Sequence, residues 1–310
     1  MDTLKINFVN FWRGFDKSNN YFYHLLSTEY NVLIEEDDPD LLFFSVFSNG
    51  EREMDKYKKH RCKKVFFTAE NVEPNFHINE DILCVNFFNT YIISKCDFAF
   101  SFSMTMDSRN YRLPLWVLYI DWFNVGGYSD PKFLLPFDQI ENNDYIKTPK
   151  TKFCAAIFSN PTDERLALFE ALSDYKQVDG YGKPFRNHSI GEDTKYNILK
   201  DYKFSICFEN KISNGYYTEK LFHAKTAGTV PIYKTNLTEN LDFNRKCFID
   251  KSNFRNISKL IDFVIEVDQD DDLYNSFFNE PLFDKNIPTI FSKDFYPESV
   301  LKFIKERILS

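Results

Sequence analysis

Short apolar runs rich in β-branched and aromatic residues recur along the chain. Between them lie segments whose apolar residues return every three or four positions. In the first half the runs fall at 5–11, 31–34, 41–47, 65–68 and 98–102, with an amphipathic segment at 20–29 carried by Phe22, Leu25 and Leu26. Strands alternating with helices predict a parallel α/β architecture. The polar stretch 138–151, which contains Pro149, predicts a linker. A second series follows: a strand at 153–158, the turn Ser159-Asn160-Pro161, a helix at 163–173, a strand at 203–209 and another at 229–233. Residues 260–267 begin a helix, and 298–308 form an amphipathic one through Val300, Leu301, Phe303, Ile304 and Ile308. The expected organisation is two Rossmann-like domains facing a cleft, residues 1–148 and 149–310, with the last helix free to pack back on the first domain.

Residues 202–233 are the most informative segment. A β-type run stops at the polar pair Glu209-Asn210, and a loop with Asn214-Gly215 follows, a dipeptide that tolerates positive φ. Thr218 is placed as an N-cap, and the helix it opens runs through Leu221, Phe222, Ala224 and Ala227 to a C′ stop at Gly228. Lys220 falls in the first helical turn, where the partial positive charge disfavours a cation. A negative ligand such as a diphosphate explains such a lysine; a solvated surface lysine explains it equally well.

Composition narrows the partners. A length of 310 residues suits two domains, and 43% hydrophobic with 27% charged residues describes a soluble globular chain. The 35 phenylalanines predict large aromatic cores before any sugar-stacking role. A net charge of −8 argues against nucleic acid or an anionic membrane as the main partner. The six scattered cysteines show no ligand spacing, no signal peptide is recognised, and no run reaches the length of a membrane span. A reducing, cytoplasmic setting without a transmembrane segment is expected.

Candidate chemistry clusters at strand ends. Arg165 follows the turn at Ser159 within the first turn of a helix, where its planar fork suits phosphate oxygens. A surface pairing with Asp163 or Glu164 is the alternative. Together, Arg165 and Lys220 could clamp one diphosphate without a metal. In the first half, the run 65–68 delivers Glu70 and Asn71 into a loop with Pro74, and a carboxylate at such an edge suits general-base work, although most such acids are simply solvated. The acidic runs 268–272 and 35–38 lack a leading apolar strand or read as a solvated turn, so no metal site is expected at either. The five histidines show no ligand spacing, and His223 inside the helix reads as packing or surface.

These motifs resemble the α-1,3/1,4-fucosyltransferases, glycosyltransferase family ten. The resemblance rests on Tyr202-Lys203-Phe204, Phe208-Glu209-Asn210, Gly215-Tyr216-Tyr217-Thr218-Glu219-Lys220 and Pro231-Ile232-Tyr233. It continues in the opening strands around Asn7–Trp12 and Asp40–Ser45, in Thr68-Ala69-Glu70-Asn71 with Pro74-Asn75, in Cys96–Phe100 and Tyr111–Leu115, and in Phe158–Pro161 with Arg165. The resemblance implies an α/β fold of the GT-B type, with the acceptor largely on the first domain and GDP-fucose on the second. It implies inverting transfer of L-fucose to an oligosaccharide hydroxyl, O3 of GlcNAc or glucose, with Glu70 as base and Asn71 and Trp12 on the acceptor side. Arg165 and Lys220 would neutralise the departing diphosphate, Glu219 would hold the ribose, and Asn210 and Tyr216 would line the nucleotide site. Lys183 and Arg186 would lie near the donor, and no divalent metal or other cofactor would be essential.

The chain departs from the family pattern at three places: Ala69 replaces a glycine, Lys234-Thr235 replaces Trp-Gly, and residues 77–95 are longer than expected. No membrane anchor or heptad tail of the kind other members carry is recognised, which fits a soluble microbial or viral enzyme. Lys234-Thr235 leaves another GDP-6-deoxyhexose as an alternative donor, and a non-catalytic glycan-binding relative is the alternative from a different class.

Overall fold

The structure, a computed structural model, describes residues 1–47, 53–71, 96–104, 107–129, 133–145, 147–185, 192–235, 242–283 and 293–309. The chain divides into two compact units, Met1–Leu134 with Ser292–Ser310, and Leu135–Phe291.

In the first unit, strands β1 (Thr3–Val9), β2 (Asn31–Ile34), β3 (Leu41–Phe44), β4 (Lys63–Phe67), β5 (Phe98–Ser101) and β6 (Asn110–Arg112) form one sheet in the order β2-β1-β3-β4-β5-β6. All its pairings are parallel. Every residue of β3 is fully buried, as expected of an apolar run covered on both faces. Helix α1 (Tyr21–Ser27) starts at Asn20, whose side chain accepts a hydrogen bond from the Tyr23 N–H at 3.0 Å. It buries Tyr21, Phe22, Leu25 and Leu26. The Phe22 ring touches Phe43 at 4.8 Å, Phe67 at 5.3 Å and Phe100 at 5.1 Å, so one ring ties the helix to three strands. This is where much of the phenylalanine goes. Helix α2 (Glu53–Tyr57) precedes β4, and a C-terminal helix (Pro297–Phe303) sets Phe303 against Phe98 and Phe100.

In the second unit, α3 (Phe137–Glu141) occupies the start of the stretch expected as a linker. A single buried residue, Ile140, anchors this one-turn helix, too little periodicity to read in advance. Then come β7 (Lys152–Ile157), α4 (Asp163–Ser173), β8 (Val178–Tyr181), α5 (Glu192–Leu199), β9 (Tyr202–Ile206), α6 (Glu219–Thr226), β10 (Val230–Tyr233), β11 (Ile249–Asp250), α7 (Ile257–Gln269) and α8 (Asp271–Phe278). The parallel sheet runs β8-β7-β9-β10-β11. Its core gathers Cys154, Ala156, Phe204, Ile206, Val230 and Ile232 from the sheet, with Leu168, Leu260 and Val264 from the helices. Helix α6 stops as expected at Gly228, whose φ of 76° suits the C′ position.

Candidate functional site

In each unit the strand order reverses at one place, and parallel sheets bind ligands beyond the carboxyl ends of strands at such a switch point. In the second unit it lies between β7 and β9, where the chain passes from β7 to β8 on one side and later to β9 on the other. The residues after β7 lead to Arg165, and those after β9 are Cys207-Phe208-Glu209-Asn210.

Arg165 is 1% exposed, which excludes the surface pairing. Its Nη1 donates to the Asn160 carbonyl at 2.7 Å and to Asn210 Oδ1 at 2.6 Å, and Nη2 donates to the Phe208 carbonyl. The guanidinium also lies 5.2 Å from the Phe158 ring centroid. Burial pulls its pKa below the ordinary value and the Glu209 carboxylate opposes that pull. The structure thus spends three of its five donors on the two strand-end segments it ties together. Asn210 is exposed, and Tyr216 is buried in the loop before α6, its N–H donating to the Ser213 carbonyl at 3.0 Å.

Lys220 is not a solvated lysine either: its side chain is 18% exposed. Nζ stands 3.2 Å from Glu209 Oε2, 3.0 Å from Thr218 Oγ1 and 3.8 Å from Glu219 Oε1. Burial alone would lower its pKa, but Glu209 and Glu219 outweigh it and raise the ammonium above its ordinary value. Thr218 takes the N-cap position without making a capping bond. Its hydroxyl and N–H donate to Glu209 at 2.7 and 3.0 Å, and its hydroxyl oxygen accepts from the Lys220 ammonium rather than from a helix N–H.

Glu219, 8% exposed, pairs through Oε1 with Lys195 of α5 at 2.7 Å. Burial raises a carboxyl's pKa, yet Lys195, Lys220 and His223 together hold Glu219 well below its usual range. Lys195 was missed in the sequence. It sits in a short polar helix, and the one available signal was its i, i+4 spacing with Leu199, which sets it on the buried face. Glu209 was seen as the end of a strand and as part of the Phe208-Glu209-Asn210 motif, with no role assigned to it. His223 is fully buried inside α6 near Tyr196, in keeping with the packing reading.

Lys183 is exposed in a helical turn after β8, and Arg186 lies outside the described residues. Gly182 before it adopts φ of 107°, and a Cβ there would stand 2.3 Å from the Phe158 carbonyl oxygen, so only glycine fits against the β7 end. Past β10, Lys234 pairs with Glu164 at 2.5 Å, and the Thr235 N–H donates to Asp250 Oδ1 at 3.2 Å. The pair that replaces Trp-Gly is therefore anchored to the neighbouring carboxylates of α4 and β11.

In the first unit the switch point lies between β1 and β3. A pocket of about 340 Å³ opens there, lined by Phe11, Trp12, Phe15, Phe47, Tyr119 and Glu70 among others. Trp12 meets Phe15 edge-on at 5.1 Å and Phe47 at 5.9 Å. Glu70 is exposed three residues past β4, and its N–H is held by Thr68 Oγ1 at 3.0 Å. Asn71 is 5% exposed beside it, while Pro74, Asn75 and residues 77–95 lie outside the described residues. Ala69 does not take a positive φ, so its Cβ brings no backbone strain where the family pattern has glycine.

The acidic run 268–272 has a structural explanation. Asp268 is a buried carboxylate holding Lys176 at 2.5 Å, Lys203 at 2.8 Å and the Tyr175 hydroxyl at 3.0 Å, and Asp270 caps α8. Among the described residues no group of three or more His, Cys, Asp or Glu side chains is placed to hold a metal ion. Also among them, no helix is long and apolar enough to cross a membrane.

Comparison with known proteins bears on both switch points. Residues 147–280 match the family model described as glycosyltransferase family 10 (fucosyltransferase) C-term, and residues 6–119 match that of the alpha-(1,3)-fucosyltransferase FucT N-terminal domain. The chain is 27% identical over 292 residues to alpha-(1,3)-fucosyltransferase FucT of Helicobacter pylori, covering 84% of this chain and 56% of that one. It is 32% identical over 157 residues to 4-galactosyl-N-acetylglucosaminide 3-alpha-L-fucosyltransferase 9 of Mus musculus, covering 49% and 44%. It thus spans about half the length of these two curated relatives. A crystal structure of an alpha1,3-fucosyltransferase with GDP-fucose superposes with a TM-score of 0.69 at 26% identity, over 100% of this chain and 92% of that one.

Proposed function

Because the chain belongs to glycosyltransferase family 10, the fucosyltransferases, we propose that it moves L-fucose from GDP-fucose to a hydroxyl of an oligosaccharide, O3 of GlcNAc or glucose. Its two α/β units have the GT-B fold. The observation that carries the proposal is the pair of cations, Arg165 buried and Lys220 half-buried, both bonded to the strand-end segment Phe208-Glu209-Asn210 at a topological switch point.

In this reading the acceptor hydroxyl oxygen attacks the anomeric carbon of fucose while the bond from that carbon to the β-phosphate oxygen breaks, inverting the centre. The electron pair leaves with GDP and the hydroxyl proton passes to Glu70. Lys220 and Arg165 neutralise the charge that grows on the diphosphate, and fixed cations there lower the barrier without reorganising. Glu219 holds the ribose, Asn210, Tyr216, Lys183 and Arg186 line the donor site, and Asn71 and Trp12 contact the acceptor. No divalent metal is needed, since the cations are supplied by side chains. A reducing, cytoplasmic setting belongs to the same reading, supported by the buried thiols of Cys62, Cys96, Cys154, Cys207 and Cys247.

GDP should raise the melting temperature where UDP does not. GDP-fucose should be turned over onto an N-acetyllactosamine acceptor in the presence of EDTA, and Glu70→Gln and Lys220→Ala should each abolish most of that transfer. Stabilisation by UDP alone, or full transfer by both variants, would overturn the proposal. Lys234-Thr235, anchored to Glu164 and Asp250, supports running the same assay with other GDP-6-deoxyhexoses.

A further inference from the structure

The Glu209 side chain is 3% exposed at the carboxyl end of β9, and its surroundings are all donors. Oε1 accepts from the Thr218 N–H at 3.0 Å, the Thr218 hydroxyl at 2.7 Å and the Tyr233 hydroxyl at 3.2 Å. Oε2 faces the Lys220 ammonium at 3.2 Å and the Thr218 hydroxyl at 2.9 Å. Thr218 closes the ring by accepting from Lys220 at 3.0 Å. Three residues from two elements thus hold one another, and the only one of them that reaches solvent appreciably is Lys220, at 18%.

A buried carboxylate costs several kcal/mol in desolvation and contributes little net stability even when paired. Three hydrogen-bond donors and an ion pair at such a cost specify geometry. The lysine stem is otherwise free to rotate about its four side-chain bonds, and Glu219, at 3.8 Å, offers the ammonium a competing position.

We propose that Glu209 is a positioning residue for transfer: it holds the Lys220 ammonium charged and fixed, directly and through the Thr218 hydroxyl, toward the leaving diphosphate. This rests on the assignment of Lys220 to the departing diphosphate made above. Glu209 touches no reacting atom in this role; it acts through Lys220. A misplacement of about 1 Å in a group that stabilises a transition state lowers rate on the order of 100-fold. Glu209→Gln keeps the size and one oxygen to accept from Thr218 and Tyr233, and replaces the charged oxygen that faces Lys220 with an amide NH2 that cannot accept from it.

The test is a double-mutant cycle on kcat/KM for GDP-fucose, using Glu209→Gln, Lys220→Ala and the two together. Residues that act as a unit are strongly non-additive. Glu209→Gln should lower kcat/KM by roughly 10- to 100-fold, and the double variant should be no worse than Lys220→Ala alone. Multiplying losses, or a Glu209→Gln variant with wild-type kcat/KM, would overturn the proposal while leaving the role of Lys220 intact. Wild-type transfer by Lys220→Ala would instead remove the assignment on which it rests. Should Glu209→Gln fail to fold, Thr218→Val takes its place. It removes the bridging hydroxyl, keeps both charges, and carries the same expectation of non-additivity with Lys220→Ala.

Discussion

Replacing Lys195 with methionine tests whether the buried charges beside α6 are a connected set. The ammonium pairs with Glu219 at 2.7 Å, and the two side chains are 10% and 11% exposed. Methionine fills the stem's volume but leaves Glu219 a buried carboxylate whose nearest ammonium is Lys220, at 3.8 Å. Breaking a buried ion pair from one side costs about 3–5 kcal/mol, and the remaining lysine places this case at the lower end. A loss of about 3 kcal/mol corresponds to a fall of roughly 6–12 °C in melting temperature for a unit of this size. The pH dependence has a definite sign. Glu219 is held well below its usual pKa when folded, so its stabilisation is complete above the unfolded carboxyl value of about 4.3. It is lost as pH falls through the lower folded value. Without Lys195 the folded value moves back up and that acid-dependent loss shrinks. Melting curves of both proteins at a series of pH values should show the full gap near pH 7 and a narrowing gap below about pH 4. A shift under about 2 °C at pH 7, or a gap unchanged at pH 3, would refute the reasoning.

Further expectations follow from neighbouring features. Gly182→Ala forces a Cβ to within 2.3 Å of the Phe158 carbonyl at a φ of 107°, and should lower stability by at least about 1–3 kcal/mol, read by urea denaturation. Asp268→Asn removes the carboxylate shared by Lys176 and Lys203; the melting temperature should fall, while EDTA should leave that of the wild type unchanged if the run 268–272 holds no metal. Burial raises the thiol pKa values of Cys154, Cys207 and Cys247, the last to about 12, so peptide mapping after alkylation at pH 8 should find them labelled only once the protein unfolds.

Much of the fold was legible because its elements carry local signals. The run Leu41–Phe44 is apolar at every position because β3 is covered on both faces, and the helix Asp163–Ser173 and the strand Asn31–Ile34 fall where the pattern places them. Several of the elements not foreseen have weak local signals. Val178–Tyr181 contains an aspartate and a glycine, Asn110–Arg112 is three residues long, and Glu192–Leu199 is mostly polar. Each is held by neighbours rather than by its own pattern. Nothing local in the run 268–272 marks Asp268 as buried; the lysines that pair with it lie on the far side of the sequence, at 176 and 203.

The same division runs through the site. The sequence by itself placed a lysine in the first turn of a helix at a strand's carboxyl end, an arginine at a second such end and a glutamate at a third. Periodicity, turn residues and Gly228 are properties of neighbouring residues, so they survive without the fold. What those side chains meet depends on contacts made across the folded chain. Arg165 binds Asn210 across 45 residues of chain, and Lys195 reaches Glu219 across 24. Glu209 became the centre of the network because the parallel order β7-β9-β10 sets its strand end beside Tyr233 and Thr218. Such pairings depend on which strands are neighbours, and strand order is a property of the assembled sheet.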